Sequence, residues 1–290
     1  NTSIVRRLPV AIPPLSEQRA IAHILGTLDD KIELNRQMNQ TLEAIARTIF
    51  KSWFVDFDPV HAKLEGREPV GMDAATAALF PDHFEESELG PIPAGWQAGK
   101  FGDIAKEIRR TVHPEEVPAD TPYIGLQHMP QHSIALDEWG QAEEVSSGKR
   151  GFRKGEMLFG KLRPYFHKVG VASVNGICST DIVVLDAKRP CMYGLVLGHL
   201  SSDSFVEYTT AVSSGTRMPR TKWRDMARYE IAVPPEVISD CYREIIAPMI
   251  DRIDVNIHES RTLAELRDTL LPKLISGELR VPASMLEDET

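Results

Sequence analysis

The stretch VAIPPLSEQRAIAHILGTLDDKIELNRQMNQTLEAIARTIFKSWF, residues 10–54, returns in altered form 221 positions later. Val10-Ala11-Ile12-Pro13-Pro14 overlies Ile231-Ala232-Val233-Pro234-Pro235. Without a gap, Asp30-Lys31-Ile32-Glu33-Leu34-Asn35 then overlies Asp251-Arg252-Ile253-Asp254-Val255-Asn256. Further on, Thr41-Leu42 meets Thr262-Leu263 and Thr48 meets Thr269. Between 11–54 and 232–275, 10 of 44 positions are identical, and most apolar positions exchange only among Ile, Leu, Val and Met. Self-similarity of this kind marks one structural element used twice.

Each copy reads as a short strand, a Pro-Pro stop and then helix. In the first copy Ile21, Leu25, Leu28, Ile32, Leu42, Ala46, Ile49 and Trp53 fall at heptad a and d positions. The second supplies Tyr242, Ile246, Met249, Ile253, Leu263, Leu270 and Leu274. Alternating steps of three and four keep one narrow apolar stripe on one helix face, the pattern of a coiled-coil seam. The expected interface is Leu28, Ile32, Asn35, Leu42 and Ile49 against Met249, Ile253, Asn256, Leu263 and Leu270. Asn35 and Asn256 either fix register and partner at a cost in stability or sit solvated at the seam edge. Gly26-Thr27 and Ala247-Pro248 occupy equivalent places, and Gly and Pro are both poor in helix interiors, so both copies are predicted to break or kink there. The long helices then cover 27–54 and 248–276, each about 40 Å at about 1.5 Å per residue. Pro272 is expected to disturb the last turn of the second. Two such helices in one chain pack on each other, as a spacer or as a dimerisation stalk. The pattern leaves parallel and antiparallel packing open.

Composition bounds the rest. The 290 residues are 42% apolar and 26% charged, which fits a packed globular chain. No run approaches the roughly 18 apolar residues of a membrane span, and no signal-peptide core follows Asn1. The absence of an initiator Met points to a fragment or a processed chain. Cys178, Cys191 and Cys241 are isolated, which argues for a reducing cytosol, no disulfide frame, no cysteine-based zinc site and buried, inert thiols. A net charge of −9 taken alone argues against a nucleic-acid partner. Yet residues 145–228 hold 14 Lys and Arg against 6 Asp and Glu, so this segment carries +8 and the remainder −17. Electrostatic DNA binding depends on local clustering rather than on the sum. A solvated surface of uneven charge would give the same count.

Between the copies, residues 55–90 read as a connector with a short Ala-rich helix near Asp73–Leu79. Asp56 and Asp58 have no third ligand at metal-site spacing and read as structural. Residues 91–235 read as a separate mixed α/β domain. Strands are expected at Tyr123–Leu126, Met157–Phe159, Val169–Val174, Asp181–Leu185 and Tyr229–Val233, with helices at Met192–Leu200 and Ser202–Val212. Two of its segments carry the residue types DNA recognition needs. Phe159–Lys168 interleaves Lys161, Arg163, His167 and Lys168 with aromatics including Tyr165. Ser213–Lys222 is a loop bearing Ser214, Thr216, Arg217, Arg220 and Lys222. Lys and Arg neutralise phosphates, hydroxyls and loop N–H groups fix register, and Arg can bond guanine bidentately. The competing reading makes the aromatics core and the cations ordinary surface.

Taken in order, LPVAIPPLSEQRAIAHILGTLDDKIELN (8–35), WFVDFDPV (53–60), LGPIPAGW (89–96), GEMLFGKLRPYFHKV (155–169), GICSTDIVVL (176–185) and SGTRMPRTKW (214–223) resemble the specificity subunits of type I restriction–modification enzymes. The resemblance covers nearly the whole chain. It implies an α+β fold: a mixed α/β target-recognition domain plus two long helices packed as an antiparallel coiled coil. It also implies a non-catalytic, cytoplasmic subunit that reads one half of a bipartite double-stranded DNA target. Methyltransferase subunits, which methylate adenine with S-adenosylmethionine, and restriction/translocase subunits would dock on it. No cofactor is expected in this chain; ATP and magnesium, like S-adenosylmethionine, are expected on those partners. The implied boundaries are a first helical region at 1–55, a connector at 56–90, the recognition domain at 91–235 and a second helical region at 236–290. Asn1–Arg7 aligns with Lys222–Arg228, the tail of such a domain. The chain is therefore expected to be a fragment, or else a half-subunit that restores two-fold symmetry by homodimerisation.

Enzyme readings find no support. The Pro-Pro pairs sit in Ile12-Pro13-Pro14-Leu15 and Val233-Pro234-Pro235-Glu236, without the amide or acid of a methyltransferase motif. Gly99-Lys100 and Gly160-Lys161 lack the Ser/Thr of a phosphate-binding loop. His258-Glu259 lacks the second His of a zinc protease, and Pro130 between His128 and His132 spoils a helical ligand pair. Two alternatives remain: a protein–protein scaffold with a coiled-coil dimerisation stalk and no DNA role, and a nuclease whose motif is not recognisable in the sequence.

Overall fold

A computed structural model describes residues 13–282. The strand expected at 10–12 lies outside them. The chain divides into two compact units, one of residues 13–38 with 255–282 and the other of 39–254.

In chain order the helices and strands are α1 (Leu15–Phe54), α2 (Asp58–Leu64), α3 (Ala74–Ala78), β1 (Phe84–Ser87), β2 (Gly90–Pro93), β3 (Gln97–Lys100), α4 (Phe101–Ile104), β4 (Ala105–Ile108) and β5 (Arg110–Val112). There follow β6 (Pro122–Ile124), β7 (Gly140–Gln141), β8 (Lys149–Phe152), β9 (Met157–Gly160), β10 (Val169–Val171), β11 (Gly176–Cys178) and β12 (Ile182–Ala187). The chain closes with α5 (Tyr193–Leu200), α6 (Asp203–Ala211), α7 (Trp223–Met226), β13 (Glu230–Val233) and α8 (Glu236–Ser276). The fold is mixed helix and sheet, as the sequence predicts.

The expected breaks are absent. α1 runs through Gly26-Thr27, and α8 runs through Pro248 and Pro272 to Ser276. A glycine costs a helix about 1 kcal/mol and a proline about 3 kcal/mol. Packing along the seam on both sides of each position outweighs those local penalties.

In the unit of 13–38 and 255–282, the two helical segments run antiparallel. Arg267 pairs with Asp29 at 2.6 Å, while Lys31 lies 3.3 Å from Glu259. Ala20, Ile21, Leu274 and Val281 form a buried cluster, with Ile24, Leu25 and Leu270 packed against it. Asn35 and Asn256 are both fully buried, so neither is a solvated edge residue. The Asn35 amide donates to Glu259 Oε2 at 2.9 Å and to Ser260 Oγ at 3.2 Å. A buried amide bonded across a seam penalises any slip of register, because slippage strands its polar atoms.

In the unit of 39–254, the second half of α1 lies beside the first half of α8, again antiparallel. Tyr242 Oη donates to the Ala46 carbonyl at 3.0 Å. Phe50, Trp53 and Phe54 close round the Tyr242 ring, with centroids 5.1–6.3 Å away. Gly198 of α5 allows Phe50 this approach, since a Cβ there would lie 2.1 Å from its ring. The ten expected seam residues are all buried or half-buried, whereas Leu34, Ile45, Val255 and Leu266 on the flanks are exposed.

The same unit holds two main sheets. One is antiparallel in the order β10-β9-β12-β4; the other runs β5-β8-β11-β6-β7, with β11 and β6 parallel. Ile124, Phe152, Leu158, Cys178, Ile182 and Val184 project from both into one buried core. On the other side of the first sheet, Phe159 meets Phe205 of α6 edge-on at 5.9 Å. β1 and β2 form a hairpin, and β3 pairs with β13. Of the thiols only Cys178 is buried, and burial pushes it up to about 12. Cys191 and Cys241 are half-exposed, contrary to the expectation of buried cysteines.

Phe50 is 2% exposed and anchors three elements. Phe50→Ala is expected to destabilise the chain by about 3–5 kcal/mol, the usual cost of deleting a buried aromatic. Urea unfolding followed by circular dichroism measures it.

Candidate nucleic-acid interface

The two basic segments come together. β9 ends at Gly160, and the chain leaves the sheet as Lys161 N donates to the Asp181 carbonyl at 2.9 Å. Thr221 N then donates to Lys161 O at 3.1 Å, and Arg163 N to Pro219 O at 2.8 Å. Leu162 and Ser214 each form a β-bridge with Arg220. The 213–222 loop is thus a folded-back turn with Gly215 at φ +105°, docked on the 160–164 segment. The Arg220 guanidinium locks it there by an ion pair to Asp181 at 2.9 Å.

These contacts sort the predicted site residues. Tyr165, Ser214, Thr216, Arg217 and Lys222 are exposed and Lys161 is half-exposed. Among the described residues, Lys161, Arg217 and Lys222 have no side-chain ion pair. Arg163 sits at φ 51°, and its Nη2 reaches the Arg217 carbonyl at 3.4 Å. Lys168 is half-buried; its ammonium donates to the Leu126 carbonyl, and burial lowers its pKa. Arg163, Lys168 and Arg220 therefore brace the loops. His167 departs furthest from expectation. It is 4% exposed, its Nε2 donates to the Ser201 carbonyl at 3.1 Å, and its ring packs on His132 at 4.4 Å. Burial first, and then the neighbouring His132, lowers its pKa. A ring so enclosed is not a surface contact, and His167 leaves the set.

Two cations that the sequence reading passed over join it. A cleft of about 380 Å3 opens beside the loop junction, lined by Arg109, Lys161, Lys222, Arg224, Glu107 and the buried Thr221. Arg109 follows β4, which pairs with β12 and so lies in the sheet that β9 leaves. Arg224 is the second residue of α7, just after the loop. Glu107 partly offsets the charge by pairing with Arg109 at 2.7 Å. The Thr221 hydroxyl, fully buried at the cleft wall, has no hydrogen-bond partner. Four cationic side chains round one concavity suit a phosphate oxygen.

Residues 1–44 match the family described as Type I restriction modification DNA specificity domain. The chain is also 26% identical over 295 residues to the type I restriction enzyme MjaIX specificity subunit of Methanocaldococcus jannaschii, a match covering 96% of this chain. Along nearly its whole length the chain is thus similar to a type I specificity subunit. A second such relative, the HindI specificity subunit of Haemophilus influenzae, is 27% identical over 95% of the chain. The chain spans 62% of the length of the Methanocaldococcus relative and 70% of the Haemophilus one. The crystal structure of a type I S subunit from M. genitalium shares the fold, with a TM-score of 0.53 at 16% identity over 90% of this chain and 61% of that one. Among the described residues, no helix is long and apolar enough to cross a membrane.

If the Arg220–Asp181 pair locks the loop, Arg220→Ala should speed tryptic cleavage after Arg217 severalfold. The melting temperature should stay close to that of the parent chain. Limited proteolysis with mass spectrometry reads both the site and the rate.

Proposed function

We infer that this chain is a non-catalytic, cytoplasmic DNA-reading subunit of a type I restriction–modification system. Residues 91–235 act as its target-recognition domain and read one half of a bipartite target. The observation that carries the reading is the junction of the two loops. Among the described residues Lys161, Arg217 and Lys222 have no side-chain ion pair there, Tyr165 is exposed, and Arg109 and Arg224 share the adjoining cleft. Cations held on a braced backbone neutralise phosphates in a fixed register, and an exposed Arg on a turn is able to reach a base edge. The paired helices act as the spacer that sets the gap between target halves. Methyltransferase subunits, and restriction/translocase subunits carrying ATP and magnesium, dock on them. The names of both relatives support the same assignment.

Lys161→Ala and Arg217→Ala should each weaken binding to target duplex while leaving the fold intact. Loss of a phosphate contact lowers the salt slope by about 1, whereas loss of a base contact costs about 1–3 kcal/mol and relaxes specificity at one position. Fluorescence anisotropy across a salt series, with the methyltransferase partner present, separates the two. Unchanged affinity in both variants removes the site assignment. Absence of any DNA binding by the parent chain with its partner favours a protein-only scaffold.

The spacer role has its own test, in a subunit carrying two recognition domains. Four residues inserted after Asn35, about one helical turn, should lengthen the tolerated gap or abolish recognition. Methylation of targets with graded spacings reads the outcome; an unaltered spacing preference rules the role out.

A further inference from the structure

His132, His167 and Asp203 stand far apart in sequence and meet at one point. Their ligand atoms, one from each side chain, all lie within 4.8 Å of one another. His167 Nδ1 is 3.4 Å from Asp203 Oδ1. Zinc bonds of about 2.0–2.2 Å to imidazole nitrogen and carboxylate oxygen place tetrahedral ligand atoms about 3.4 Å apart. The spacing is that of two ligands on one ion.

Orientation supports the same reading. Ser201 O is a carbonyl and can only accept, so His167 Nε2 must carry the proton in their 3.1 Å bond. This leaves Nδ1, the atom facing Asp203, as the coordinating nitrogen. A ligating histidine ordinarily gives its other N–H to a carbonyl or carboxylate in this way, which fixes both tautomer and ring plane. The backbone is fixed as well. His132 N donates to the His167 carbonyl at 3.0 Å, and the two residues sit at φ 56° and φ 50°. Left-handed geometry at both turns brings the rings to 4.4 Å between centroids. Asp203 opens α6, and its carboxylate is largely exposed. Among neighbouring charges, Arg47 bonds the His132 carbonyl at 3.3 Å and opposes a cation, while the Asp203 carboxylate compensates.

We propose that His132, His167 and Asp203 bind one divalent ion of the zinc class, which ties the loop before Ser133, the turn after Pro164–Phe166 and the start of α6 into one joint. Two imidazoles and a carboxylate select zinc-like ions over magnesium or calcium, which prefer all-oxygen shells. Three protein ligands leave a fourth position to water. The joint lies at the end of the 161–168 segment, so the ion would hold the base of a loop assigned above to DNA. The site itself does not depend on that assignment.

The test is calorimetric titration of the full chain, stripped with chelator, with Zn2+. One ion per chain is expected. His132→Ala and Asp203→Asn, both altered at exposed side chains, should each weaken binding at least tenfold, with unchanged circular dichroism. His61→Ala, outside the cluster, should bind as the parent does. Zn2+ should also raise the melting temperature of the parent chain and not that of the two variants. No uptake by the parent chain, or affinity in both cluster variants equal to that of the parent, overturns the proposal.

Discussion

A narrow apolar stripe on a 40-residue helix cannot hold that helix in place in water; it needs an opposing stripe. In both compact units the opposing stripe belongs to the other copy of the repeat. Where residues 13–38 meet 255–282, the stripe is closed by Ala20, Ile21 and Leu274, and its register is fixed by the Asn35 bond to Glu259. Within residues 39–254, Tyr242 is clasped by Phe50, Trp53 and Phe54. The two units thus close their seams differently, one by a buried amide and the other by rings.

The middle of the chain solves a different problem, that of presenting positive charge from a negatively charged protein. Its strands bury Leu158, Ile182 and Val184 between two sheets. The segment that leaves β9 and the 213–222 loop then meet beside one cleft. Coulomb interactions are screened within about 8–10 Å at physiological salt, so the charges lining that cleft set the local potential largely unopposed by acidic groups elsewhere. This is how a net charge of −9 and a cationic cleft coexist.

The repeat and the seam were legible in the sequence because they follow a period sustained over many turns; the burial of Asn35 and Asn256 comes from the structure. Gly26 and Pro248 misled because residue-by-residue propensity ignores the packing that flanks them. Strands such as Gln97–Lys100 and Gly176–Cys178 escaped notice because they are short and lack alternation. The first pairs with Glu230–Val233, more than a hundred residues away. In the candidate site, interleaved cations and aromatics marked two segments that the structure brings together, but not the direction of each side chain. Nothing local distinguishes Lys161, which reaches the cleft, from Lys168, which turns in to Leu126. Arg109 enters only through the pairing of β4 with β12, a contact no local pattern encodes.

One linkage joins the helix to the 161–168 segment. Glu43 of α1 is buried, and burial raises its pKa, yet its carboxylate accepts from Ser133 Oγ at 2.7 Å and from Ile134 N at 3.1 Å. Ala135 then bridges to Val171 of β10, and His132 lies against His167 at the end of the basic segment. A carboxylate that has given up solvent for two protein donors is costly to displace, because either donor left behind would be buried and unmatched. Residues 132–135 are therefore positioned by α1 rather than by their own sequence, which has no regular structure. Any shift of this part of α1 must carry the loop, the His132–His167 contact and the start of the 161–168 segment with it. This part of the helix and the 161–168 segment are in this way one mechanical element.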